Sequence, residues 1–226
     1  MAVSDLRQEV IKIVNRVQPK LGIDATTTLT ANKTATALLD MLNEIMDECS
    51  DYGDWQEAYF ETIVTAQSSV NEYEVRASGA TLVKNVLEIH WDDEVAPLNV
   101  QDISFLRLRG RKPSYGTPRH FAIVGVNASS GNPTFRVDPV PTTSATFNIA
   151  AYEKPRILTT SDVSAVPFFP AEVLFKGLYA KALLAENGGE PTREYLVANE
   201  EYSKARREAC NRFNADTGVD IFIQPG

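Results

Sequence analysis

The spacing of apolar residues changes twice along this chain, from a helical period to a strand period and back, and that double change limits the folds open to it. Leu6, Val10, Ile13 and Val17 recur at intervals of 4, 3 and 4. That is one stripe of an amphipathic helix over residues 4–20, with Ser4 placed to cap it. After Leu21-Gly22 and a Thr-rich link, Ala31, Ala35, Leu38, Leu42, Ile45 and Cys49 resume the spacing, with Thr30 as the expected cap and Tyr52-Gly53-Asp54 as the stop. From about residue 57 to residue 153 the period falls to two, the mark of strands with one buried face.

Strands are expected at 59–66, 70–75 and 82–91, the last two joined through Ser78-Gly79. Phe121, Ile123 and Gly125 alternate with Ala122, Val124 and Val126, and Ser130-Gly131-Asn132-Pro133 turns the chain into Phe135 and Val137 as a hairpin. A last strand is expected at 145–152, after a Pro139-Val140-Pro141 segment read as an edge because two of its residues have no amide to donate. Ile103, Leu106 and Leu108 break the alternation and predict a short helix within 100–108. Pro170 then suits the first turn of a helix whose body, 173–184, is apolar on nearly every side and so must be central. Gly188-Gly189 ends it. Pro191 opens a final helix with Tyr195, Ala198, Tyr202, Ala205 and Ala209 in one stripe, and Glu200 stands four residues before Lys204 as an ion pair on its charged face.

Helices that each bury one stripe need one another. The expected fold class is therefore α+β: a helix bundle built from the N- and C-terminal helix pairs, with an antiparallel β-sandwich or barrel-like domain inserted. The boundaries read as 1–56 for the first helices, 57–155 for the β domain, 156–213 for the closing helices and 214–226 for a tail.

Composition narrows the function by exclusion. With 226 residues, 43% hydrophobic and 23% charged, the chain can build a sizeable core and reads as globular. No stretch approaches the roughly 20 apolar residues of a membrane span, and residues 1–20 carry charges where a signal peptide is apolar, so no membrane partner is expected and synthesis is placed in the cytoplasm. Cys49 and Cys210 lack metal spacing and read as buried thiols. The net charge of −8 opposes a protein that grips phosphates. The local exception, Arg107, Arg109, Arg111 and Lys112, reads as a solvated helix end and loop.

There are only two histidines. His90, Asp92 and Glu94 would share a strand face, a metal arrangement weighed against ordinary solvated strand ends. His120 has no nucleophile or orienting acid at a fixed spacing. No phosphate loop, dinucleotide fingerprint or nucleophile elbow occurs. No catalytic, metal-binding or cofactor-binding residue is expected, and no cofactor.

The order of features resembles the phage head-to-tail adaptor family that includes tail tubular protein A and related connectors of short-tailed phages. The resemblance rests on Asp54-Trp55 after two helices and on Ile103-Ser104-Phe105-Leu106 in a short helix. It continues through Gly116-Thr117-Pro118-Arg119-His120-Phe121-Ala122-Ile123, then Val137-Asp138-Pro139-Val140-Pro141, then Tyr152-Glu153-Lys154-Pro155 before two closing helices. Arg109 to Pro113 and the isoleucine-rich tail match nothing in that pattern. The resemblance implies a structural virion protein of the neck, joined in a ring of about twelve copies to the portal and to a downstream tail or nozzle protein, with genomic DNA passing through the lumen without specific binding. Trp55, Tyr59, Phe105, Leu106, Tyr115, Gly116, Pro118, Phe121, Pro139, Pro141 and Tyr152 are expected to be framework positions. Val219, Ile221, Phe222, Ile223 and Pro225 form the candidate portal-binding tail, because they are apolar or turn-forming at the end of the chain. Two rival readings are a receptor- or sugar-binding module on a helical stalk, and a cell-wall hydrolase using an acidic pair at Asp92 or Glu94.

Overall fold

The computed structural model describes residues 7–77, 82–109 and 113–216. The chain divides into two compact units, Ala58–Arg156 and the segments on either side of it. The outer segments form the helix bundle and the inner one carries two β-sheets, so the architecture is the expected α+β.

In the helical unit, α1 (Val10–Val17) starts six residues later than the apolar spacing implies. Its first amides are satisfied by a loop instead of a capping side chain: Val10 N–H donates to the Ala165 carbonyl (2.8 Å) and Ile11 N–H to Val163 (3.2 Å). Ser4 lies outside the described residues. A 3-10 turn at Gln18–Leu21 ends on Gly22, whose φ of 72° favours glycine. In α2 (Lys33–Tyr52) the cap is Asn32, whose side chain accepts from Ala35 N–H at 2.7 Å, and Thr30 does not serve. A capping oxygen must sit two or three residues ahead of the amide it accepts, and Thr30 is too early.

With α3 (Ile103–Arg109) belonging to the β unit, α4 (Ala171–Glu186) is the central helix of the bundle, packed against α1, α2 and α5 (Arg193–Asp216). Leu174 and Leu178 are fully buried, which is what an all-round apolar helix requires. A Cβ added at Gly177 would stand 2.9 Å from the Tyr202 ring and 3.0 Å from Ile45 Cγ2, so glycine sets how closely α2, α4 and α5 approach. Gly188 and Gly189, at φ 66° and 88°, end α4. Thr192 caps α5, its hydroxyl accepting from Tyr195 N–H (3.3 Å). On α5, Lys204 turns to Glu208 (3.9 Å), one turn on from the Glu200 expected.

The β unit holds β1 (Tyr59–Ala66), β2 (Glu72–Glu74), β3 (Val83–Trp91), β4 (Asn99–Val100), α3 (Ile103–Arg109), β5 (His120–Val126), β6 (Pro133–Asp138) and β7 (Ala145–Glu153). One sheet runs β1-β7-β3 and the other β2-β6-β5-β4. Their facing residues share one core, in which the Phe147 ring meets Phe135 (5.3 Å), Trp91 (5.1 Å) and Tyr73 (4.9 Å) edge-on. The chain between β2 and β3 includes Ser78-Gly79, outside the described residues, and joins strands of different sheets. All described strand pairs are antiparallel except β4 with β5, which are linked through α3 as parallel strands must be.

The Pro139-Val140-Pro141 segment is not an open edge. Val140 N–H donates to the Ser114 carbonyl (2.8 Å), the Val140 carbonyl accepts from Gly116 N–H (3.0 Å), and Pro141 accepts from Ser69 N–H (2.9 Å). Pro141 stands where only a carbonyl is needed, and β7, which follows the segment, is the middle strand of its sheet.

Candidate interaction surfaces

The residues weighed for chemistry are held in structural contacts. The chain leaves β3 at Trp91, and Asp92 takes a φ of 50° with its N–H donating to the Thr146 carbonyl (2.7 Å). His90, Asp92 and Glu94 therefore do not share a strand face, because the chain turns before the second of them. The His90 imidazole instead meets the Glu88 carboxylate (3.1 Å) through Nε2 and the Glu94 carbonyl (3.3 Å) through Nδ1. Asp92 accepts from the Thr146 hydroxyl at 3.3 Å. His120 Nδ1 stands 3.4 Å from Gln101 Nε2. Among the described residues no group of three or more His, Cys, Asp or Glu side chains is placed to hold a metal ion. The Arg107 patch is described only at Arg107 itself, on an exposed turn of α3.

The framework positions separate into interior and surface. Trp55 is buried, its Nε1 donating to the Cys49 carbonyl (2.7 Å) and its ring edge-on to Phe169 (5.2 Å). Leu106, Pro118, Phe121 and Pro141 are buried, Pro139 is half-buried after a cis peptide, and Phe105 falls in α3. Gly116, at φ 152°, makes the turn that places its amide on Val140. Tyr59 and Tyr115 are exposed and Tyr152 half-buried. The tail positions Val219, Ile221, Phe222, Ile223 and Pro225 lie outside the described residues.

The exposed tyrosines draw attention to the outward face of the β1-β7-β3 sheet. Register sets Tyr59 opposite Tyr152, Glu61 opposite Ala150 and Ile63 opposite Asn148, while β3 sets Glu88 and His90 across from the same Ala150 and Asn148. The Tyr59 and Tyr152 rings meet edge-on at 6.1 Å. Tyr59 donates its hydroxyl proton to Glu61 (2.7 Å), and that bond, aided by burial, pushes the phenol pKa up to about 12. Ile63 is 67% exposed. Two tyrosines and the exposed Ile63 thus flank the Glu61 and Glu88 carboxylates, the latter in contact with the His90 imidazole.

The helical unit carries a second surface, a groove of about 410 Å³ lined by Lys20, Phe175, Tyr179, Arg193, Val197 and Glu201. Phe175 and Tyr179 stack with ring centroids 6.4 Å apart, and cations lie over them: Arg16 at 4.1 Å from the Phe175 centroid and Lys20 at 4.8 Å from that of Tyr179. On the neighbouring surface, Lys181 bridges Glu44 and Glu48, each at 2.7 Å. Burial opposes the Lys181 ammonium, but the two carboxylate bonds outweigh it and its pKa is raised. The Tyr202 hydroxyl stands 3.4 Å from Glu48 and 3.6 Å from Cys49 Sγ. Burial pushes the Cys49 thiol up to about 12, which makes it an inert interior group.

One charged hub was not evident in the sequence. Glu74 on β2 accepts from Arg76 (2.8 Å), Ser130, Asn127 (3.1 Å) and Asn132 (3.4 Å), and so fixes the 127–132 turn between β5 and β6. The Arg76 bond first, and the Ser130 bond next, hold its carboxyl down to about 2. The only local trace of it is Glu74 standing two residues before Arg76.

What the described residues offer is a set of exposed, shaped faces on two compact units, the build of a subunit that works by docking. The SU10 adaptor protein family matches residues 1–220. The chain belongs to that family of phage adaptor proteins and is a structural component of the virion. No curated protein matches it.

Proposed function

We propose that the chain is a head-to-tail adaptor of the tail tubular protein A-like kind, closing into a ring beneath the portal and joining it to the next tail component. The observation that carries this reading is a family match that takes in both units and the five described α-helices. A ring needs heterologous contacts, in which one flank of a copy fits the opposite flank of the next. An exposed sheet face and a shaped helical groove, each within its own unit, suit docking better than a single reactive cleft would. The net charge of −8 per copy favours a channel that lets DNA pass without holding it. About twelve copies, the portal above and a nozzle protein below complete the proposed assembly.

The test is to mix the purified chain with its cognate portal and image the product, while measuring the mass of the free chain in solution. Ring density capping the portal is the expected result. Portal particles that stay bare at saturating adaptor would overturn the reading.

A further inference from the structure

Two faces of the helical unit carry opposite charge. On α2, Asp40, Glu44, Asp47 and Asp51 follow one another at intervals of 4, 3 and 4, and all four are exposed. That spacing sets them in one row, a ridge about 17 Å long at the rise of an α-helix. Lys33 stands at the head of the row. Among the described residues Asp40, Asp47 and Asp51 meet no cation, and Glu44 shares Lys181 with Glu48. The ridge thus holds five carboxylates, at 40, 44, 47, 48 and 51, against the two cations Lys33 and Lys181. Like charges at these spacings work against the helix that bears them, a cost that a cationic partner removes.

The groove lined by Phe175 and Tyr179 is of the other sign. Lys20 lies over both rings, at 5.3 and 4.8 Å, and neither it nor Arg193 has a carboxylate partner among the described residues. Arg16 and Lys176 share the single carboxylate of Glu172, at 2.8 and 3.7 Å. Glu194 and Glu201 belong to the α5 wall, so the cationic side is the one that Arg16, Lys20 and Lys176 form. Four cations stand there against three carboxylates, an excess opposite to that of the ridge. We propose that the α2 ridge of one copy docks in the Phe175–Tyr179 groove of the next, its carboxylates pairing with Lys20 and Arg193. The inference rests on the ring reading above and names the surfaces that close the ring.

Both surfaces belong to one compact unit, so their placement is fixed. An α-helix turns about 100° per residue, which puts Phe175 and Tyr179 across α4 from Gly177 and Lys181, the positions that meet α2. A copy therefore cannot set its own ridge in its own groove. Ridge against ridge is repelled, which disfavours a two-fold dimer through α2, whereas ridge into groove is attracted. A helix laid in a groove is a common docking mode, and here each copy gives one ridge and receives one. Such an exchange is heterologous and is satisfied throughout only when the ring closes.

The experiment uses the full chain assembled on its cognate portal, with ring yield counted by imaging. Asp47→Lys with Asp51→Lys, and separately Lys20→Glu with Arg193→Glu, should each lower ring yield about tenfold or more, while the circular dichroism of the free chain stays that of the parent. A chain carrying all four substitutions has the charges of ridge and groove exchanged and should recover most of the parent's yield. Lys20→Glu and Arg193→Glu combined with Asp93→Lys and Glu94→Lys, in the β unit, has the same net charge and should not recover. Where a reversal disturbs the fold, Asp47→Asn with Asp51→Asn tests the same contact and should lower the yield severalfold. Rings at the parent's yield from either reversed pair overturn the inference and leave the ring reading standing. A loss that the fourfold exchange does not recover assigns the ridge to the portal or the next tail protein, and recovery in the charge-matched control assigns the effect to bulk charge; either result also overturns the inference. Absence of rings with the unmodified chain undoes both readings.

Discussion

Replacing Gly177 by alanine sets two opposed effects against each other at the centre of the helical unit. In an exposed helix interior the change would favour folding by about 1 kcal/mol, because glycine has more backbone freedom to lose. Here the new methyl would stand 2.9 Å from Tyr202 Cε2 and 3.0 Å from Ile45 Cγ2. Both neighbours are buried. Ile45 is fully buried on α2, and Tyr202 is 5% exposed with its hydroxyl engaged by Glu48 and Cys49. Forcing a methyl into such packing costs about 1–3 kcal/mol, so the net expectation is a loss of about 1 kcal/mol or somewhat more. Urea titration followed by circular dichroism at 222 nm reads it, since the helices dominate that signal. Ile45→Ala alone should cost about 2–5 kcal/mol, and Gly177→Ala should cost less in that background than in the parent, because the alanine methyl at 177 then occupies space the isoleucine vacated. A coupling of at least about 0.5 kcal/mol is expected from residues in contact. A Gly177→Ala chain as stable as its parent, or more so, would refute the claim that α2, α4 and α5 meet at van der Waals distance there.

Asn32→Ala should destabilise the helical unit by about 1 kcal/mol in the same titration while Thr30→Ala leaves it nearly unchanged, and equal effects would contradict the assigned cap. Glu74 has a folded pKa of about 2, below its ordinary 4.5, so the stability it contributes is present above pH 4.5 and is lost as pH falls from there through 2. Glu74→Gln should flatten the acid limb of unfolding of the β unit over that window, read by tryptophan fluorescence from Trp91, and an unchanged limb would count against the hub. Lys181→Met, which leaves Glu44 and Glu48 facing each other, should cost no more than about 1 kcal/mol because both glutamates are largely exposed, a difference that 0.5 M salt should reduce.

The surfaces were legible in part. Tyr59, Tyr115 and Tyr152 stand out in the sequence as framework aromatics, but nothing local distinguishes them from the buried Trp55 and Phe121, and only the sheets sort inside from outside. The acidic residues at 92–94 read as a continued strand face until the turn at Asp92 is seen, since a reversal of the chain with φ of 50° leaves no mark in an alternation of side chains. Glu74 was silent because its Ser130, Asn127 and Asn132 partners are more than fifty residues away.

Taken alone, the sequence determined most of the helices and strands: the apolar stripes of α2 and α5, the all-round apolar body of α4 and the full extent of β1 follow from spacing, a property of neighbours along the chain, whereas β4 fell where a helix was expected and β2 is shorter than its expected 70–75. It also determined that the outer helices must pack together, because none can bury its stripe alone. Tertiary structure decided which strands adjoin, setting β7 between β1 and β3 and β6 between β2 and β5. It also decided where α1 begins, by supplying the Ala165 and Val163 carbonyls, and set β1 at an edge of its sheet. These outcomes depend on backbone groups common to every residue, whose partners are chosen by distant packing and so cannot be read from side-chain pattern.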